Sequence, residues 1–153
     1  RAPSTKYALI ADEKIEKLKA VANRLRTQYP NEQIVSLGRT PLWVLYTAET
    51  LERLEGKNVP EDRFTHMAFS GRWMKKSDQS NRFVKVSTLL SPNRDQVVAY
   101  RRYLTQMGLD PKSVIQKDHN TIIVEYTQKG ESLVSALSLL KEWAKEEGVE
   151  HKK

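Results

Sequence analysis

The chain has 153 residues, 39% apolar and 29% charged, the size and balance of one soluble globular domain with a single substantial core. Its net charge of +7 favours anionic partners: nucleic acid, phosphorylated metabolites or an acidic protein surface. The absence of cysteine excludes disulfides, thiolate metal sites and a cysteine nucleophile. No apolar run approaches the roughly 18 to 20 residues that cross a bilayer. The first residues, "RAPSTKYALIADEK", lack the layout of a signal peptide and start without methionine, so a processed or trimmed chain is expected, with further sequence upstream. Lysines interleaved with glutamates in "EKIEKLK" and "KEWAKEEG" read as solvated helix faces rather than a polycation tract.

From Asp12 to Tyr29, apolar Ile15, Leu18, Ala22, Leu25 and Tyr29 recur three and four apart, which predicts an amphipathic helix stopped by Pro30 and Asn31. Residues 1–11 are expected to form a flexible tail. "QIVSL", Gln33 to Leu37, reads as a short buried strand. In "GRTPLWVLYTAETLERL", Thr40 is a suitable N-cap and Pro41 suits the first helical position, where its missing N–H costs nothing. Leu42, Leu45, Ala48, Leu51 and Leu54 supply the buried stripe, and Gly56 marks the end. Strand, tight loop and helix form the first half of a βαβ unit.

"RFTHMAFSG", Arg63 to Gly71, predicts a second strand running into a loop. "RWMKKSDQSNR" has no regular period and reads as an exposed, mobile basic loop carrying Arg72, Lys75, Lys76 and Arg82. "FVKVSTLL" has some β character. Ser91 and Pro92 are expected to open a helix with Val97, Arg101, Leu104 and Met107 on one side and Gly108 at its end. Asp110 and Pro111 start a further helical turn. A strand from Thr121 to Glu125 follows, then a helix carrying Leu133, Leu137, Leu140 and Ala144, and a frayed tail over 148–153.

Strands alternating with helices predict a single α/β domain over 1–153 whose mostly parallel sheet is flanked by helices. In open sheets of this kind, ligands bind at the carboxyl ends of the strands. The informative segment is "TIIVEYTQKGESL". An apolar strand ends at Glu125, and the small polar loop Tyr126 to Ser132 then leads into a helix. Unpaired N–H groups at a helix N-terminus attract phosphate, Gly130 lets the backbone approach, Thr127 and Ser132 offer hydroxyls, and Lys129 adds charge. Glu125 can accept hydrogen bonds from vicinal hydroxyls such as those of a ribose.

These residues resemble the signature of the type I phosphoribosyltransferases: an apolar strand, two acidic residues, a short loop, then Thr-Gly-x-Thr or Ser opening a helix. The family uses it to hold the ribose 5-phosphate of phosphoribosyl pyrophosphate (PRPP). The match puts Glu125 at the second acidic position, Gly130 at the glycine and Ser132 at the last hydroxyl, with Gln128 and Glu131 in the same phosphate and ribose loop. "SLGRTP" takes the place of the family's pyrophosphate loop, so the resemblance implies contacts from Gly38, Arg39 and Thr40. It implies that Glu125 and Arg39 carry the chemistry: Glu125 would hold the ribose hydroxyls, and Arg39, with Lys75 or Lys76, would stabilise the departing pyrophosphate. The basic loop resembles the flexible catalytic loop that closes over PRPP. Mg²⁺ would come with PRPP, without direct side-chain ligation.

The sequence also departs from the signature. Val124 stands at the first acidic position, Lys129 replaces the usual threonine, and no separate hood is evident unless the N-terminal helix supplies it. Degenerate domains of this look occur among bacterial secreted effectors, which implies delivery into a host cell as an alternative to a cytoplasmic site of action.

Two other functions compete with a phosphoribosyl-binding domain: a non-catalytic protein-interaction module on the same fold, and a nucleic-acid binder driven by charge. The second is less favoured because the aromatics are not interleaved with the lysines. Simpler readings stand beside the functional ones. Gly130 and Ser132 serve equally as the turn and cap of a packed helix. Trp43, Trp73 and Trp143 read as core or interface residues rather than base-stacking platforms, and His66 as a packed or partly exposed histidine rather than a catalytic base. His119 and His151 complete no zinc pattern, and "QKGES" is not a Walker A sequence.

Overall fold

The computed structural model describes residues 5–39, 41–69, 93–126 and 130–149. In chain order the elements are α1 (Thr5–Gln28), β1 (Gln33–Leu37), α2 (Leu42–Leu54), β2 (Phe64–Met67), α3 (Arg94–Gln106), α4 (Pro111–Gln116), β3 (Thr121–Val124) and α5 (Glu131–Glu146). The basic loop with Arg72, Lys75, Lys76 and Arg82, the segment 83–90, and Ser91 and Pro92 lie outside the described residues. The architecture is α/β with a small three-stranded parallel sheet in the order β2-β1-β3. Chain contacts divide it into two compact units: Arg1–His66 with Thr121–Val124, and Met67–Asn120 with Glu125–Lys153.

In the first unit β1 is the central strand, and all five of its residues are buried. Its register against β3 runs from Gln33 opposite Thr121 to Ser36 opposite Val124. Its two polar residues are satisfied across the sheet, as burial requires. Gln33 donates to the Thr65 hydroxyl at 3.1 Å and accepts from the Thr121 hydroxyl at 3.1 Å. Ser36 Oγ lies 3.0 Å from His66 Nδ1, so His66 is the packed histidine its strand position predicts.

Helix α1 packs on α2, and α2 lies against β1. Ala22, Ile34, Val35, Leu37, Leu45 and Ala48 form the apolar interior. Two charged pairs sit among these elements. Arg63 bonds Glu52 of α2 at 3.0 Å, donates to the Glu32 carbonyl and covers the Phe64 ring at 4.8 Å. Arg26 grips Glu55 with both terminal nitrogens, at 2.8 and 2.5 Å.

These pairs explain two departures from the expected stripes. Glu52 is buried on α2 because Arg63 meets it there, whereas Leu54, expected inside, is 79% exposed. Likewise Arg26 is buried on α1 while Ile15 faces solvent. Helix α1 also begins at Thr5, ahead of the apolar period that starts at Ile15.

In the second unit, Met67, Leu104, Leu109, Ala136, Leu139 and Trp143 are buried, and α4 packs on α5. Asn93 caps α3 through a reciprocal capping box with Gln96. Gly108 ends α3 with φ 67°, and Leu109 N–H bonds the Leu104 carbonyl at 2.9 Å, a left-handed C-terminal turn of the expected kind. Asp110 caps α4 by accepting from Ser113 N–H, and Pro111 follows at the first position.

Helix α5 is rotated from its expected stripe. Ala136, Leu139 and Trp143 face inward, and Leu137 is 39% exposed. Trp143 decides this. Its large ring is buried, its indole N–H donates to Glu147 at 2.9 Å, and the Arg101 guanidinium sits 5.3 Å over it. Arg101 also bonds Glu146 at 2.5 Å. No helix of the described residues is long and apolar enough to cross a membrane.

Candidate functional site

The parallel pairing of β1 with β3 sets Ser36 beside Val124, so the carboxyl ends of these two strands are neighbours. Gly38 and Arg39 follow the first, and Glu125 follows the second.

In the second unit, Glu125 follows β3 half-buried, and its Oε2 is buried with no hydrogen-bond partner among the described residues. A buried carboxylate oxygen left unpaired costs on the order of 1 to 3 kcal/mol, and Asp110 Oδ1 and Glu147 Oε2 are buried in the same way, so what sets Glu125 apart is its place at the end of a strand. Tyr126 is exposed, and Thr127, Gln128 and Lys129 lie outside the described residues. Gly130 then holds the left-handed conformation, φ 69° and ψ 10°, immediately before α5.

The glycine is required by this backbone conformation rather than by crowding, since a Cβ placed there would meet nothing within 4 Å. No side chain caps α5, and the Gly130 carbonyl accepts from Val134 N–H at 2.9 Å. The turn-and-cap alternative is therefore half right: Gly130 makes the turn, but Ser132 lies inside the first turn of the helix instead of capping it. Glu131 and Ser132 are half-buried there. The Glu131 carboxylate suits the positive end of the helix dipole and competes with any other anion for it.

In the first unit, Gly38 turns the chain with φ 76°, and Arg39 is exposed with no side-chain partner among the described residues. Thr40 lies outside the described residues. Pro41 has helical torsions, φ −73° and ψ −12°, as its fixed ring favours. The Arg39 carbonyl accepts from Leu42 N–H at 3.2 Å, and the Pro41 carbonyl accepts from Val44 and Leu45 N–H at 3.0 and 3.2 Å. Several donors at the start of α2 are thus already bonded within the chain, unlike an open anion cradle.

Three features go beyond the sequence reading. Trp43 and Tyr46, on the outer side of α2, are 66% and 52% exposed, so Trp43 is not a core residue. Spacing alone could have shown this, because Leu42, Leu45 and Ala48 turn inward and put 43 and 46 on the other side. The second is the Ser36–His66 pair. The third is a clamp in the second unit, where Tyr103 O–H accepts from Ala68 N–H at 3.0 Å and Tyr100 O–H donates to the Ala68 carbonyl at 2.9 Å. Burial, helped by neighbouring Tyr103, pushes the Tyr100 hydroxyl well above the usual tyrosine range. Among the described residues, no three His, Asp or Glu side chains gather where they could hold a metal ion. Set against protein-family models, curated proteins and solved structures, the chain matches none.

Proposed function

We propose that the chain binds a phosphorylated ribose compound, PRPP or a nucleotide, at the turn that joins β3 to α5. The observation that carries this is the buried Oε2 of Glu125, which has no hydrogen-bond partner among the described residues, at the end of a strand that a left-handed glycine at the start of α5 follows. Glu125 accepts hydrogen bonds from the ribose hydroxyls, which satisfies the orphaned oxygen. The 5-phosphate lies at the first turn of α5, around Gly130, Glu131 and Ser132, where the helix dipole favours negative charge.

The resemblance to phosphoribosyltransferases supports this division of labour. Mg²⁺ fits it on donor chemistry: the ion keeps waters and ligand oxygens and needs only one or two carboxylates nearby, and Glu125 supplies one oxygen free to hold a hydroxyl that shares the ion. When bound with PRPP, Mg²⁺ would neutralise pyrophosphate charge. The same resemblance assigns Arg39, of the other unit, to electrostatic stabilisation of a leaving pyrophosphate, chemistry that needs no protein nucleophile.

Titration calorimetry with PRPP and with nucleoside monophosphates, with and without Mg²⁺, tests the proposal. Saturable heat that Glu125→Ala abolishes is the expected result. Absence of heat with every phosphoribosyl compound, alongside a protein recovered by pull-down, would favour the non-catalytic interaction module instead.

A further inference from the structure

Trp43 and Tyr46 occupy adjacent turns on the solvent side of α2, with ring centroids 6.1 Å apart and planes at 79°. Burial does not account for them, since both are more than half exposed. One turn earlier in the chain, Arg39 is exposed and unpaired among the described residues, and its carbonyl receives Leu42 N–H, which closes that turn onto the helix. The two threonines on the same side turn their hydroxyls back: Thr47 donates to the Trp43 carbonyl and Thr50 to the Tyr46 carbonyl, each at 2.8 Å. Beside the rings these hydroxyls are therefore taken up by the helix itself, the Glu49 carboxylate one turn on from Tyr46 is paired with Arg53, and Arg39 remains a cation without a side-chain partner among the described residues.

We propose that Trp43 and Tyr46 form a stacking platform for single-stranded nucleic acid, with Arg39 receiving a backbone phosphate. Three features favour this over a protein partner. An aromatic ring buries only about 150 to 250 Å², so two rings make a patch well short of the roughly 800 Å² per side of a stable protein interface. That area suits one or two bases. Leu54, the next exposed apolar side chain on α2, is separated from the rings by the two threonines, and so does not widen the patch. The flanking guanidinium and the net charge of +7 complement a polyanion. The platform belongs to the first unit alone and does not depend on the sugar-phosphate turn before α5.

The test is fluorescence anisotropy of a labelled oligodeoxythymidylate of about 16 nucleotides, titrated with the intact chain at several salt concentrations. Trp43→Ala should weaken binding about 5- to 150-fold, the cost of one lost base stack. Trp43→Phe should retain most of the affinity, and Trp43→Leu should not. Arg39→Ala should lower the slope of log affinity against log salt by about 0.7, one phosphate contact on a single strand. Leu54→Ser should leave binding unchanged.

Equal binding by the wild type and Trp43→Ala overturns the proposal. So does full rescue by Trp43→Leu, which would make the contact merely hydrophobic, and so does equally tight competition by thymidine monophosphate, which would put a free nucleotide there. A concentration-dependent dimer in sedimentation that Trp43→Ala dissolves would assign the face to protein contact and overturn it as well.

Discussion

At the scale of single residues, Glu125 and Gly130 illustrate different kinds of constraint. Gly130 answers to backbone geometry, because its φ of 69° is one that side-chain-bearing residues enter only at a cost. Glu125 is different, since its buried Oε2 makes no hydrogen bond among the described residues. If that oxygen is kept for a ligand, the free protein bears its desolvation cost, and Glu125→Gln should be neutral or stabilising by up to about 1 kcal/mol. Urea unfolding of the two proteins without ligand checks this; a clear loss of stability would mean that the carboxylate has a structural partner. The acid and the glycine could be read from the sequence because residue type and spacing carry them. The burial of one particular oxygen could not, since it depends on tertiary packing that residue type and spacing do not encode.

At the scale of elements, the three strands were legible and the helix termini only in part, since α1 starts at Thr5 rather than at Asp12 and Asn93, not Ser91, caps α3. "QIVSL" became β1 with the expected bounds, and Gly108, Asp110 and Pro111 ended and started helices as their chemistry dictates. Faces were harder to read than termini. On α5 the leucine spacing pointed to Leu137, whereas Trp143, read as a core or interface residue but left out of that stripe, is buried together with Ala136 and Leu139. The same error on α2 hid Glu52 and exposed Leu54, because apolar period alone cannot foresee that Arg63 will pair with a carboxylate inside. The rotated face of α5 has a direct consequence. Leu139→Ala should cost about 2 to 5 kcal/mol, whereas Leu137→Ala should stay within about 0.5 kcal/mol, measured by denaturant unfolding. The reverse order would restore the stripe expected from sequence.

At the scale of the whole molecule, two ionisable groups set the outer limits of pH stability. Hydrogen bonds from Arg26 and then Lys57 lower the Glu55 carboxyl to about 2, below its ordinary value of 4.5. The same bond raises the Arg26 guanidinium, so the pair remains charged throughout the range. A carboxyl with a depressed folded value stabilises fully above its unfolded value, so this contribution should be lost as pH falls from about 4.5 towards 2. Tyr100 has the opposite sign: its folded value is raised, so its contribution holds below the ordinary 10 and declines as pH rises past it. Thermal unfolding against pH should show both flanks, with Glu55→Gln flattening the acid one and Tyr100→Phe the alkaline one. Net charge and α/β alternation could be read from composition and order. The long-range pairs could not, because Arg26 and Glu55 lie 29 residues apart and meet only once α1 and α2 have packed. The sugar-phosphate account is tested most directly by following the backbone amides of isotope-labelled protein during titration with PRPP and Mg²⁺. Saturable shifts concentrated at Glu125 and at Gly130 through Leu133 are the predicted result. Saturation without movement of those amides, or no shift anywhere, would contradict it.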